Sequence, residues 1–364
     1  MDALNSSYSR KQLSAPPWSA PSWGKSWIWL LIICVIIMVA IGGATRLTGS
    51  GLSITEWKPL TGAIPPLSES SWLSEFEKYR QSPQYELLNT GMSLAEFKSI
   101  YWWEWGHRQF GRLMGLVFVI PFLVLVFGWF RKQVSGWLIL GLVGLCLLGA
   151  LQAMVGWIMV ASGLKPGMIA VAPVKLMLHL IVATLILASL TFIAQRLSQS
   201  QNISSPKCIR WGAWLIFLMV FVQIALGALV AGSKAGLTYN TWPLMDGDFI
   251  PPAKYLFMTS PWYENFFDNV TMVQFQHRMF AYCVVIVAGI YSVFVNIRMP
   301  ATPTARRALL VAGLILVQAA LGILTLLLAV PLWAGLAHQI LAMLVLVACA
   351  YHTFSLQIKR SSVL

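Results

Sequence analysis

Charge is what this sequence has least of. Asp, Glu, Lys and Arg together make up 10% of its 364 residues, against about 25% in a soluble domain, and the mean hydropathy is +0.73. So few charges cannot cover a soluble surface, and the chain reads as a polytopic membrane protein. Acidic residues are the scarcer sign, 12 against 25 basic ones. Cysteine is sparse too: Cys34, Cys146, Cys208, Cys283 and Cys349 all lie in or beside apolar stretches. None falls in a long polar segment, so no disulfide framework is implied, and the five are read as small core residues. The first 25 residues lack a cleavage-type pattern before a short apolar core, so the first apolar stretch is expected to stay in the protein.

What is abundant is apolar sequence in runs that can cross a bilayer, which takes about 20 residues each. Eight such runs occur, at 26–46, 107–130, 137–161, 171–195, 211–232, 271–297, 308–329 and 333–357. The expected fold class is an all-α membrane protein with eight transmembrane helices. The connecting segments 1–25, 131–136, 196–210, 298–307 and 358–364 hold thirteen of the 25 basic residues and a single acid, Asp2. By the positive-inside rule these face the cytoplasm or the mitochondrial matrix, with both termini inside. Segments 47–106 and 233–270 carry eleven of the twelve acids and are expected outside. The net charge of +13 is thus a topology signal with a weak attraction to lipid headgroups, and no nucleic-acid partner is implied.

The chain repeats itself. Gly51 to Pro66 reads GLSITEWKPLTGAIPP and Gly236 to Pro252 reads GLTYNTWPLMDGDFIPP. The following helices open with Gly106-His107-Arg108 and Gln276-His277-Arg278, and Gln-x-x-x-Gly recurs at Gln152/Gly156, Gln223/Gly227 and Gln318/Gly322. Two four-helix units are therefore expected: 26–195 and 211–357, joined by an inner linker at 196–210 and flanked by tails 1–25 and 358–364. An even number of crossings per unit makes the repeats parallel, so equivalent residues share a depth.

That symmetry gives the histidines meaning. His107 and His179 in the first unit, and His277 and His338 in the second, lie in the outer thirds of parallel helices. Two neutral imidazoles at one depth can ligate a haem iron from both faces. The alternatives are an interhelical hydrogen bond for each ring or a proton relay in a transporter, although transporters of this repeat type break their helices at the midplane. A zinc site would need further ligands that neither unit supplies. His352, fourteen residues beyond His338 and about 21 Å deeper, has no histidine opposite it and is read as an interfacial residue.

The units differ at one chemically important position. Glu104 stands three residues before His107 on roughly the same helical face, where the second unit has Gln274. A carboxylate beside a haem edge can take a proton or stabilise positive charge; it can also simply pair with Arg108. Arg46, Arg108 and Arg278 sit at the outer ends of helices, suited either to haem propionates or to lipid phosphate. Trp57, Trp242 and the Trp102/Trp103/Trp105 cluster are expected in the interfacial aromatic belt.

The ordered set Gly-Gly-Ala-Thr-Arg-Leu-Thr-Gly-Ser-Gly-Leu-Ser at 42–53, Glu-Trp-Gly-His-Arg at 104–108, His179, Gln-His-Arg at 276–278 and Ala-His-Gln at 337–339 resembles the heme A synthase family. The resemblance runs from about residue 26 to 357. It implies an eight-helix oxidoreductase that oxidises the C8 methyl of haem O to the formyl group of haem A for cytochrome oxidase. It implies a resident haem b on His277 and His338, and substrate haem O on His107 and His179 with Glu104 beside it. The partners it implies are haem O synthase as supplier, cytochrome oxidase assembly factors and a redox partner; homo-oligomers and a bacterial cytoplasmic membrane are compatible with it, the mitochondrial inner membrane less so. One branch of the family carries cysteine pairs in the outer loops. This chain has none there, so it resembles the proteobacterial and mitochondrial branch. The competing reading of the same four histidines is a di-haem b-type cytochrome that only transfers electrons, and such a protein has no use for Glu104. A haem O synthase would need Asp-rich motifs for magnesium and prenyl diphosphate, which are absent.

The charge asymmetry predicts which loops an impermeant thiol reagent reaches. Single cysteines replacing Leu60 and Phe249 are expected to label from the outside of intact cells, and cysteines replacing Gln133 and Thr302 only after permeabilisation. The reverse pattern would invert the topology.

Overall fold

The computed structural model describes residues 21–198 and 205–357. Those parts of the expected tails and linker that fall at 1–20, 199–204 and 358–364 lie outside the described residues. Among the described residues eight long helices are present: α1 Ser22–Leu47, α4 Leu94–Phe130, α5 Gly136–Gly163, α6 Pro173–Leu197, α7 Lys207–Gly232, α10 Val270–Arg298, α11 Pro303–Leu327 and α12 Leu332–Ser355. All eight are long and apolar enough to cross a membrane. Short helices α2 Glu69–Arg80, α3 Pro83–Leu88, α8 Ala253–Leu256 and α9 Asn265–Asp268 occupy the two long loops. In lipid a helix satisfies its own backbone polar groups, which is why apolar runs of this length settle as helices whatever surrounds them.

Local chemistry sets the ends. α11 begins five residues before its apolar run because Thr302 caps the backbone N–H of Ala305 and Pro303 fills the first turn. α4 begins thirteen residues before His107 because Ser93 and Glu96 form a reciprocal capping box. Its 37 residues exceed what a bilayer needs, so its first turns rise above the other helices. There Phe97 and Tyr101 join Ile54, Trp72, Phe76, Tyr79 and Tyr85 in a buried aromatic cluster, and Phe97 stacks on Phe76 with ring centroids 4.9 Å apart. Pro121 sits inside α4 and cannot donate to the carbonyl of Val117. The indole N–H of Trp27 on α1 donates to that carbonyl at 2.9 Å instead, so the helix continues unbroken.

Packing follows one scheme twice. α1 lies against α4 and α6, and α5 against α6; likewise α7 lies against α10 and α12, and α11 against α12. Each set of four closes into a ring in which the second and fourth helices face each other across the centre. α1 and α12, α6 and α7, and α6 and α12 join the two rings. Small residues allow this approach: a side chain at Gly232 would strike Pro173 at the α6–α7 joint, and one at Gly212 would strike Tyr291. One side breaks the pattern. α10 and α11 are in contact along their length, whereas α4 and α5 meet only sparsely. The apolar stretch of α4 is 6% buried against 28% for α10, whereas α5, at 22%, is more buried than α11, at 17%.

Two sequence expectations are corrected. Cys146, Cys208 and Cys283 are exposed, and only Cys349 is fully buried. A small apolar side chain is as comfortable against lipid as in a core, so an apolar helix does not by itself place a cysteine inside. His352 is not an interfacial residue but a core one, 2% exposed, with its Nε2 2.8 Å from the hydroxyl of Tyr291.

Candidate metal centres

Four glycines decide where the histidines go. A Cβ added to Gly42 on α1 would stand 3.1 Å from Nε2 of His107, and one on Gly156 of α5 would stand 2.9 Å from Cε1 of His179. In the second ring the same test puts Gly227 of α7 3.1 Å from His277 and Gly322 of α11 2.8 Å from His338. Each imidazole thus lies in a seat that only glycine leaves open. His107 leans on α1 and His179 on α5, while the rings themselves come from α4 and α6, which face each other. The second unit repeats this with α7, α11, α10 and α12. His107 and His179 thus stand on facing helices of one set of four, and His277 and His338 on facing helices of the other.

The recurring Gln-x-x-x-Gly now has a function. The glutamine stands one helical turn before the seat and reaches the ring above it. Gln223 Nε2 lies 3.0 Å from Nδ1 of His277 and also donates to the His277 backbone carbonyl at 3.0 Å. Gln318 does the same to His338, at 3.1 Å and 3.0 Å. Gln152 Nε2 lies 3.2 Å from Nε2 of His179. The fourth seat differs: four residues before Gly42 stands Met38. Sequence comparison within the chain shows three glutamines; only the seat geometry reveals that Met38 occupies the fourth place.

The donor set fits a haem in each ring. The four imidazoles are neither fully buried nor fully exposed in the protein alone. Buried polar atoms without partners gather at the same places: Nδ1 of His179 and Oε1 of Gln152, Gln223 and Gln318. Buried polar atoms left unpaired are costly and point to a missing partner. Among the described residues no three His, Cys, Asp or Glu side chains converge. Each unit offers two imidazoles on facing helices, and two axial nitrogens are what a bis-imidazole iron would need.

Above the seats the repeated loops are clamped by equivalent arginines. Arg108 donates to the carbonyls of Ile54 at 2.7 Å and Glu56 at 2.8 Å. Arg278 donates to Tyr239 and Thr241, the matching positions, both at 2.8 Å. Five donors in a rigid fork suit such multiple acceptance. The expected acidic residue is part of the first clamp. Glu104, 2% exposed, accepts from the Ser53 hydroxyl and the Ile54 backbone N–H, both at 2.8 Å, and pairs with Arg108. Gln274 in its place donates to the Tyr239 carbonyl at 3.1 Å. Next to this clamp, Lys58 and Lys78 hold the Glu56 carboxyl below its ordinary range by hydrogen bonding.

Arg46, one turn beyond Gly42, is partly buried, and its guanidinium has no hydrogen bond or ion pair among the described residues. Sequence reading missed a second cation, Lys175, one turn before His179, whose ammonium likewise has no hydrogen bond or ion pair among the described residues. The second unit has Ala231 and Ala334 at those two places.

Residues 25–350 match the COX15-CtaA family, described as cytochrome oxidase assembly protein. The chain is 57% identical over 328 residues, 90% of each chain, to the heme A synthase of Methylobacterium sp. (strain 4-46). It is 59% identical over 318 residues to that of Methylobacterium nodulans, covering 87% of this chain and 88% of the relative. To the heme A synthase of Brucella anthropi it is 48% identical over 327 residues, 90% of each.

The seats predict a substitution effect that is confined to one ring. Gly322→Ala places a methyl 2.8 Å from the His338 imidazole, which must turn away. Purified protein is then expected to lose the low-spin bis-imidazole absorption of the second site while keeping the fold and the first site. An unchanged spectrum would show that the seat does not set the ligand.

Proposed function

Because this chain belongs to the COX15-CtaA family and is a heme A synthase, a membrane oxidoreductase that converts haem O to haem A for cytochrome oxidase, we propose that its two rings divide the work. Residues 26–195 form a substrate unit in which His107 and His179 hold haem O, and residues 211–357 form a unit in which His277 and His338 hold a resident haem b. The two units are parallel repeats about an axis normal to the membrane. The observation that carries this division is the sparse contact between α4 and α5 beside close contact between α10 and α11. A substrate with a long apolar tail must enter from lipid and leave again, and the first ring has an open flank where the second is shut. The protein lies in a bacterial cytoplasmic membrane with both termini inside, so that haem O arrives laterally from its synthase through the bilayer.

The unpaired cations support the same division. Arg46 and Lys175 stand at the mouth of the first ring without partners, where alanines stand in the second. Haem propionates are carboxylates, and two cations at the low-dielectric edge of a bilayer orient them strongly. Arg108 and Arg278 touch propionates only with whatever donors their loop carbonyls leave over. The bound haem b would supply one-electron transfer. With water as the oxygen source, turning a methyl into a formyl group releases four electrons and four protons, and a one-electron carrier would pass those electrons singly to an external acceptor.

Glu104 is the proposed catalytic group of the chain itself. Three donors fix its carboxylate a turn from His107, so it is a stationary negative charge. A fixed charge in a dry site stabilises positive charge developing on the methyl carbon without reorganising. His107 and His179 hold the substrate iron, and so set where its methyl lies relative to that charge.

Glu104→Gln separates this role from a purely structural one. The variant is expected to keep the spectrum of the second-site haem and to bind haem O, while haem A formation at limiting enzyme falls on the order of 10²–10³-fold. Haem O or its alcohol should then accumulate in extracted membranes. Normal haem A yield with an intact loop would reduce Glu104 to a clamp residue.

A further inference from the structure

We propose that Gln339, which belongs to the helix turn that carries His338, is a positioning residue for the other ring: it holds the stretch of α1 on which His107 rests. The inference rests on the reading that the first ring holds the substrate.

Gly43 and Gln339 meet at the joint between α1 and α12. A Cβ on Gly43 would overlap the Gln339 amide, and that amide donates to the Val39 carbonyl, one turn earlier on α1, at 3.0 Å. The residue before Gly43 is Gly42, the seat of His107, where a Cβ would stand 3.1 Å from the imidazole Nε2. Two successive glycines therefore place α1 between two helices, with His107 of α4 against one and Gln339 of α12 against the other. One turn earlier α12 comes close again, since a Cβ on Gly335 would stand 3.0 Å from Leu47. Gln339 is thus a polar tie in a close helix joint. It stands one residue from a ligand of the second ring and faces the neighbour of a seat in the first.

The matching joint between α6 and α7 lacks the tie. There Leu180 follows His179 and Ala228 follows Gly227, and neither side chain can donate a hydrogen bond. The surroundings of each histidine helix explain why one ring needs the tie and the other does not. α10 is held by both α7 and α11, whereas α4 packs on α1 and meets α5 only sparsely. The position of His107 therefore follows the position of α1, and what fixes α1 fixes the ligand. An amide left unpaired among apolar helices is costly, so α1 and α12 are held at the depth where the bond to Val39 forms. A single buried polar pair can set helix register in this way, which apolar contacts leave adjustable. In this account Gln339 keeps the His107 imidazole at the place from which it and His179 serve one substrate iron.

Full-length protein carrying its resident haem is purified in detergent and titrated with haem O, with the absorption of both sites followed. His179→Ala, which removes a first-ring ligand, identifies the signal of the first site. Gln339→Met keeps the volume of the side chain and removes its N–H. The variant is expected to require about three times as much haem O for half occupancy, the scale of one interhelical hydrogen bond in a membrane, with the haem b spectrum and the unfolding temperature unchanged. A purely local role would disturb the adjacent His338 instead, so an unchanged haem O titration or an altered haem b spectrum would overturn the inference. Gly43→Ala approaches the same joint from α1. It should weaken haem O binding in the wild-type background and add nothing to Gln339→Ala, because the side chain it strikes is then gone. Additive losses would refute the tie, and this pair decides should Gln339→Met fail to fold. Loss of haem b from His179→Ala would overturn the division of sites itself, whatever Gln339→Met does.

Discussion

An imidazole inside a bundle surrounded by lipid is a polar group with no water to turn to, and everything above the level of single helices in this protein is arranged around four of them. Leaving such a group unpaired costs several kcal/mol. The remedy here is a glycine that leaves room for the ring against a neighbouring helix and, in three cases, an amide that reaches it from one turn away. That requirement fixes which helices touch. α4 must lean on α1 and α6 on α5, and the second ring must do likewise. The Gly42-Gly43 pair shows how tightly the demands are interleaved: Gly42 seats His107, and a Cβ on Gly43 would collide with Gln339, whose amide donates to the Val39 carbonyl at 3.0 Å and fastens α12 to α1. Gln339 directly follows His338, so a residue that joins the rings is part of the second site's own helix turn.

The long loops depend on the same helices. Arg108 and Arg278 follow their histidines by one residue and grip carbonyls at matching places in the two GL-containing segments. A loop that is held this way cannot drift from the mouth of its ring, and the histidine cannot shift without moving the loop. The repeated sequence is thus a repeated clamp. On this background the differences between the units stand out: Glu104 for Gln274, Arg46 and Lys175 for alanines, Met38 for glutamine, and a loose α4–α5 flank for a closed α10–α11 one. All four occur among α1, α4, α5 and α6, the helices proposed to hold the substrate.

Much of this was legible in the sequence because the bilayer removes choices. Apolar runs of about 20 residues can only be helices there, and all eight appear. The histidine pairs were legible through the repeat, which fixed their depth. What depth cannot give is the face of the helix, and this is where His352 and the cysteines were misjudged. The start of α4 was hidden because Ser93 and Glu96 act through a local cap inside a polar stretch. The glutamines were visible as a pattern but mute, since each one's partner lies on a different helix. Met38 carried no signal at all until Gly42 was seen to be a seat.

The central claim is that each histidine pair holds a different haem. Extracting and separating the haems from purified His179→Ala and His338→Ala proteins, both expressed with a haem O supply, tests it most directly. The account predicts that His179→Ala retains haem b and loses haem O, and that His338→Ala retains haem O and loses haem b. Loss of haem b from His179→Ala together with its retention in His338→Ala would contradict it.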